Sequence, residues 1–234
     1  MPALDNPVWS ALTGPQRDLG SSAPLAARFH PDVSPFGAFA EEPTARHWKD
    51  LVRLVAPGES VVLVGSPPDP PPGWKVLWEG TGVQMIGDRV LLQSPAPTAP
   101  STLPEPVALG PDDSEDMLAL VAETRPGPFL SRTVEFGGYL GIRHVGRLIA
   151  MAGERLRPDG FAEISAVATH PDHRNQGLAE LLVRAVAAGI VGRGEIPFLH
   201  ASEANVGAIR LYASMGFVIR RTLSFASLQL SETA

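Results

Sequence analysis

Between Glu163 and Gly189 the chain changes the period of its polarity, and this change constrains the fold more than any other feature. Glu163 and Ser165 alternate with Ile164, Ala166 and Ala168, the two-residue period of a strand. After Thr169-His170-Pro171-Asp172-His173-Arg174-Asn175-Gln176-Gly177 the apolar residues Leu178, Leu181, Leu182, Ala185, Val186 and Gly189 recur at helical spacing. That is the pattern of a helix laid on a sheet. Glu180 and Arg184 form an outward i, i+4 pair. The connection between strand and helix has the properties of an anion site: the first N–H groups of a helix lack partners and its dipole favours negative charge. Gly177 lets backbone approach a phosphate, Ala179 keeps the next turn small, and Arg174 adds positive charge. Dinucleotide folds call for G-x-G-x-x-G and mononucleotide loops for G-x-x-x-x-G-K-[ST]; this segment contains neither.

Around this unit the pattern predicts a layered α/β (α+β) arrangement. A strand at Val107–Leu109 leads through Pro111-Asp112-Asp113 into a helix with Met117, Leu120, Val121 and Thr124 on its inner face. Strands at Tyr139–Arg143, Arg147–Ala152 and Phe161–Ala168, joined by short turns, read as an antiparallel meander. Beyond the amphipathic helix come a strand at Pro197–Ala201, a helix at Val206–Met215, and a closing hairpin of Phe217–Arg221 and Ser224–Leu230. Asn205 suits the start of that helix and Gly216 its end.

The N-terminal part is less informative. A helix is expected over Thr44–Ala56, with Trp48, Leu51, Val52 and Val55 inward and Pro57-Gly58 as its stop. Short strands are expected at Ser60–Val64, Trp74–Trp78, Val83–Ile86 and Arg89–Leu92. The proline-rich stretch Ser94-Pro95-Ala96-Pro97-Thr98-Ala99-Pro100 is read as a linker. It divides the chain into a smaller α/β domain (1–100) and a second domain (101–234). Trp9, Trp48, Trp74 and Trp78 are read as core.

The chain has no cysteine, which excludes disulfides, thiolate metal ligands and a cysteine-linked acyl intermediate. Its six histidines show no metal-ligand spacing, so no metal is expected. With a net charge of −6 and no basic stripe, nucleic acid and anionic membrane lose their main attraction. The same charge is compatible with a cationic amine substrate. No apolar run approaches the ~20 residues of a membrane span, and the N-terminus lacks a secretion signal, so the expected location is cytoplasmic.

Two motifs carry a resemblance. Arg174-x-x-Gly177-x-Ala179 after a strand resembles the pyrophosphate loop of the GNAT acyltransferases. About 30 residues on, Asn205-x-x-Ala208-x-x-x-Tyr212-x-x-x-Gly216-Phe217 resembles a second signature of that superfamily, in the same order. The C-terminal ~130 residues are thereby identified as a member, and the whole chain resembles two-part bacterial members with a divergent N-terminal half. The resemblance implies the GNAT fold, a mixed and mostly antiparallel sheet flanked by helices. It implies acetyl-CoA as cofactor, gripped by the amides of Asn175, Gln176, Gly177, Leu178 and Ala179 with help from Arg174. Val167 and Ala168 would pair with the pantetheine arm, Asn205 would contact the cofactor, and Tyr212 would protonate the departing thiolate.

Direct transfer to an amine also needs a proton acceptor. Glu163 is the first candidate, since some GNAT enzymes carry a base at this distance before the loop. Burial against the sheet is expected to raise its pKa. His200 is the second candidate, and His170 and His173 are read as shaping the turn. The acceptor expected is a small-molecule amine, amino acid or peptide N-terminus. A catalytically silent acyl-CoA sensor and an interaction module remain as alternatives. For the N-terminal half a decayed acyltransferase unit, a substrate lid and a homodimer surface are all open.

Overall fold

The computed structural model describes residues 2–65, 69–87 and 105–232. Two short helices, α1 (Pro2–Asp5) and α2 (Pro7–Leu12), precede strands β1 (Gly20–Ser22), β2 (Ala26–Phe29) and β3 (Phe36–Phe39). Helix α3 (Ala45–Val52) and strands β4 (Ser60–Val64) and β5 (Trp74–Gly87) complete the N-terminal part. Then follow β6 (Val107–Ala108), α4 (Ser114–Thr124), β7 (Leu140–His144), β8 (Arg147–Glu154) and β9 (Phe161–Thr169). The chain closes with α5 (Leu178–Gly192), β10 (Ile196–Ser202), α6 (Val206–Ser214) and β11 (Phe217–Leu230). The predicted strand Arg89–Leu92 and the proline-rich linker lie outside the described residues.

The eleven strands among the described residues form one sheet in the order β1-β2-β3-β4-β11-β5-β10-β9-β8-β7-β6. Only β3/β4 and β9/β10 are parallel. The β9-α5-β10 crossover supplies the second parallel pair, as a strand-helix-strand unit must. The mixed, mostly antiparallel sheet with flanking helices is therefore as expected.

The halves are joined more closely than a boundary near residue 100 implied. Strand β5 lies between β10 and β11, paired antiparallel to both. One core cluster takes Leu4, Val8, Phe29 and Phe36 from the N-terminal half and Leu156, Phe161 and Phe198 from the other. Gln16 donates to the Arg155 carbonyl (2.6 Å) and accepts from the Arg157 N–H (2.9 Å) across the same junction. The described strands of both halves thus form one continuous layer.

Three further expectations change. Trp74–Trp78 and Val83–Ile86 are parts of the single strand β5; Gly80-Thr81-Gly82 reads as a turn but runs straight. A Cβ on Gly82 would stand 2.8 Å from the Ala201 carbonyl oxygen and 2.9 Å from the Phe225 ring, so glycine here permits close approach of neighbouring chains. The expected terminal hairpin is likewise one strand, β11. Its polar run Arg220-Arg221-Thr222 is not a turn but begins in a bulge at Arg220, and both arginines reach Asp5. In α5 the buried stripe is Leu178, Leu182, Val183, Val186, Ala187 and Ile190, with Gly189 exposed. The helix is rolled by about one position from the expected face.

The location of β5 makes a stability prediction. A chain of residues 101–234 alone would leave the edges of β10 and β11 without their shared partner, and it would expose the joint core. Circular dichroism should show one cooperative melt for the full chain and none for the fragment. A cooperative melt of the fragment would restore the two-domain division.

Candidate active site

Strands β9 and β10 pair in parallel from Phe161↔Ile196 to Ile164↔Leu199 and then separate. The cause lies in β9, where Ala166 has φ +52°, an unusual value for a residue with a side chain. Against β8 the register steps from Met151↔Ala168 to Gly153↔Ser165, so β9 carries one extra residue. Such a bulge bends and twists its strand. Beyond it, Ser165–Thr169 line a cavity of ≈ 840 Å³ whose other walls come from β5, β10, α6 and the loop after α4.

At one end of the cavity stands the N-terminus of α5. Gly177, in the helix-capping position, has φ +77°, and no side chain caps the helix. Asn175 is also left-handed, at φ +61°. Left-handed residues of this kind at a helix start build the backbone turns that bind anions. An ideal Cβ on Gly177 would meet nothing within 4 Å, so the glycine is demanded by its φ and not by crowding. His170 shapes the loop as expected: Nδ1 accepts from the Asp172 N–H (3.2 Å) and Nε2 meets Glu123 (2.8 Å). The Thr169 hydroxyl, also at the cavity wall, is buried without a hydrogen-bond partner among the described residues. Uncapped amides, an unpaired hydroxyl and the nearby Arg174 form a donor set that fits the phosphates and amide arm of a coenzyme A.

On the far wall Asn205 caps α6, its Oδ1 accepting from the Ala208 N–H (3.1 Å). Tyr212, two turns on, is 8% exposed and lines the cavity. Burial pushes its phenol up to about 12, so it keeps its proton at neutral pH.

Glu163 differs from expectation. It is fully buried and does not line the cavity. Arg155 grips both oxygens, Nε to Oε2 at 2.9 Å and Nη2 to Oε1 at 2.5 Å. Oε1 also accepts from His200 Nδ1 (2.7 Å), and Oε2 from the Leu156 N–H (3.3 Å). Burial raises the carboxyl's pKa, but Arg155 and His200 outweigh it and hold the group down at about 2. A carboxylate this acidic and this engaged is a counter-ion, not a base tuned towards neutrality. The sequence pattern showed Glu163 on a strand but not Arg155, which arrives from the turn after β8.

The polar contacts continue across the sheet. Gln84 Oε1 accepts from Arg220 (2.8 Å), which fixes the amide so that its Nε2 donates to the Leu4 carbonyl and to His200 Nε2, each 3.1 Å. His200 is thereby held with its proton on Nδ1, and both ring nitrogens are engaged.

The structure thus gathers Val167, Ala168, Arg174, Asn175, Gly177, Leu178, Ala179, Asn205 and Tyr212 around one cavity. Gln176 sits in the loop but not on the cavity wall. Reading by motif missed Thr169, the bulge at Ala166, the Thr124–Pro128 wall and the contribution of β5. It also misplaced Trp78, which is 49% exposed at the cavity rather than core.

A family model described as FR47-like protein matches residues 139–226, the span from β7 into β11. A solved structure from Novosphingobium aromaticivorans, assigned to the GNAT acetyltransferases, shares 40% identity over 97% of this chain and 98% of its own, with a TM-score of 0.84. The chain belongs to the GNAT family. More distant GCN5-related structures share its fold. The Kribbella flavida protein is 17% identical over 94% of this chain and 93% of its own (TM-score 0.60). The Streptococcus suis protein is 18% identical over 96% and 92% (TM-score 0.61). No curated protein matches the chain. The match to the Novosphingobium structure takes in the N-terminal half as well as the C-terminal one. Among the described residues no helix is long and apolar enough to cross a membrane.

The buried pair predicts acid sensitivity. Because the folded pKa of Glu163 lies below its ordinary value of 4.5, its contribution is complete above that pH and is lost as pH falls towards 2. Glu163→Gln strands the Arg155 charge and should cost about 3–5 kcal/mol in a urea melt at pH 7. A loss under about 1 kcal/mol would mean that water, not Glu163, compensates Arg155.

Proposed function

We propose that this GNAT protein moves an acetyl group from acetyl-CoA directly to an amine, with both substrates bound together. The observation that carries the proposal is one continuous cavity running from the uncapped start of α5, along the free edge of β9, to the Tyr212 ring. The thioester supplies an activated acyl group; the rest is the chain's work. The amides of residues 175–179 and Arg174 would hold the phosphates, with Asn205 at the rim. The Val167 and Ala168 backbone would pair with the extended arm, and Thr169 offers a hydroxyl beside it.

The amine nitrogen bonds to the acyl carbon as the carbon–sulfur bond breaks. Tyr212 then donates its proton to the leaving sulfur and is reprotonated from the nitrogen through water. No cysteine is present to carry the acyl group, so proximity of the two substrates supplies much of the rate. Since Glu163 is tied to Arg155 and both His200 nitrogens are engaged, deprotonation of the amine falls to water. The cavity, whose described lining holds no unpaired carboxylate, assists by disfavouring the ammonium form. A silent sensor would have no use for a protonated phenol facing the donor, and Tyr212 therefore favours catalysis.

The direct test is acetyl-CoA consumption with an amine panel, corrected for hydrolysis without amine. Tyr212→Phe should lower kcat roughly 10²-fold and leave acetyl-CoA affinity nearly intact; undiminished turnover would make Tyr212 a packing residue. The pH profile gives a second test. With Glu163 ionised throughout, kcat/KM should rise with pH along a limb that moves with the acceptor's own pKa. A limb fixed for all amines would instead assign a base to the protein, with His200 first in line.

A further inference from the structure

We infer that the acceptor is a primary amine bearing one flat apolar group, such as an aryl ring, and no second positive charge. This rests on the acetyltransferase reading and concerns the other end of the same cavity. Side chains alternate along a strand, so Trp78, Gly80, Gly82 and Gln84 of β5 share one face. Gln84 lies opposite His200, and Gly80 opposite Phe225. The α5 helix packs on the other face, against Val83, Ile164 and Leu199. The cavity therefore passes through the gap between β9 and β10, with the anion cradle on one side and Trp78, Phe225 and His200 on the other.

On that second side Gly80 leaves a floor without a side chain between aromatic walls, while the space over Gly82, which is not on the cavity wall, is taken by the Phe225 ring. A Cβ on Gly80 would lie 3.7 Å from Cζ3 of Trp78, and one on Gly82 would lie 2.9 Å from Cε2 of Phe225. Phe225 stands edge-on to His200, ring centroids 6.0 Å apart. Beyond them Phe36 is covered by the Arg155 guanidinium, 4.8 Å from its centroid. A slot of this kind suits a flat apolar group, and half-exposed Trp78 forms its mouth.

The charges exclude the alternative. Among the described residues lining the cavity the one carboxylate is Glu180, which lies at the cradle end and is paired with Arg184 at 2.9 Å. Arg155 is already neutralised by Glu163. A polyamine or other multiply charged acceptor would bury an ammonium without a counter-ion. The net charge of −6 is thus carried elsewhere on the chain and does not mark a cationic pocket.

The experiment uses the full chain, saturating acetyl-CoA, and four acceptors: 2-phenylethylamine, tryptamine, putrescine and spermidine. We expect kcat/KM for the aryl amines to exceed that of the diamine and triamine by about 10²-fold or more, given the unpaired charge. Gly80→Leu fills the floor at a position with ordinary backbone angles. It should raise KM for 2-phenylethylamine roughly tenfold or more while acetyl-CoA still stabilises the protein in a thermal melt. Trp78→Ala, at a half-exposed site where folding is not at stake, should raise the same KM. Equal or reversed preference between the classes overturns the inference and leaves the acetyltransferase reading standing. So does an unchanged KM in the two variants, or acetyl-CoA binding with turnover on none of the aryl amines. Absence of any acetyl-CoA stabilisation in the wild-type protein would remove the reading itself and this inference with it.

Discussion

A parallel pair of strands that stops pairing halfway is the constraint on which the rest of this molecule depends. Had β9 and β10 stayed together to their ends, Ser165–Thr169 would spend their backbone groups on each other's neighbours and leave no cavity. The extra residue at Ala166 prevents this by turning β9 away while its link to β8 resumes at Ala168. Exposed backbone donors and acceptors in a sheet interior are costly unless something pairs with them. An extended, amide-containing arm pairs with them well, which ties the bulge to the ligand chemistry. The opposite strand accommodates the distortion because Gly153 has no side chain; a Cβ there would stand 2.1 Å from the Tyr139 ring.

Opening a sheet at its centre removes backbone bonds that hold its strands in line. Beside the gap, a row of side chains replaces some of that restraint. Arg155, Glu163, His200, Gln84 and Arg220 are bonded in sequence, from the turn after β8 across β9, β10, β5 and β11. Arg220 passes the row on to Asp5 at the end of α1. Buried charges cost heavily unless each is satisfied, and here each named group has its partner. Glu163 therefore has a structural reason to be acidic and buried beside the cavity, independent of any proton transfer. A carboxylate on the strand before the cofactor loop invites the role of base from its position alone; only its partners decide against it.

The residues that meet at the α5 end of the cavity were legible because their geometry is local. Gly177 and Asn175 owe their role to their own backbone angles, Asn205 to the helix it caps, and Tyr212 to its place two turns further on. Each is written within about 40 residues. The acceptor end was not legible, because it is assembled from pairs far apart in the chain: Gly82 against Phe225, Gln84 against His200, Arg155 against Phe36. Long strands were read as two for a related reason. Gly80-Thr81-Gly82 has turn composition, and nothing local says that two neighbouring strands press too closely there for a side chain. Trp78 was assigned to the core by type, although Trp48 and Trp74, with ring centroids 5.7 Å apart, already pack together in the core under α3.

The N-terminal half then has a function that follows from geometry. A sheet ending in β10 and β11 alone would bring those strands side by side, with ordinary side chains between them. Inserting β5 places a strand with glycine at two alternate positions, Gly80 and Gly82, next to the gap. Gly82 lets β10 and the Phe225 ring of β11 draw close to β5, and Gly80 clears the floor on which an acceptor would lie. Close packing and an open pocket usually compete for the same space. Here they are reconciled because the missing side chains fall on one face of one strand, and the aromatic rings from β5 and β11 stand around the space they leave. The half of the chain without a motif of its own is in this way a wall of the cavity, and under the proposed function its sequence would decide which amines that wall admits.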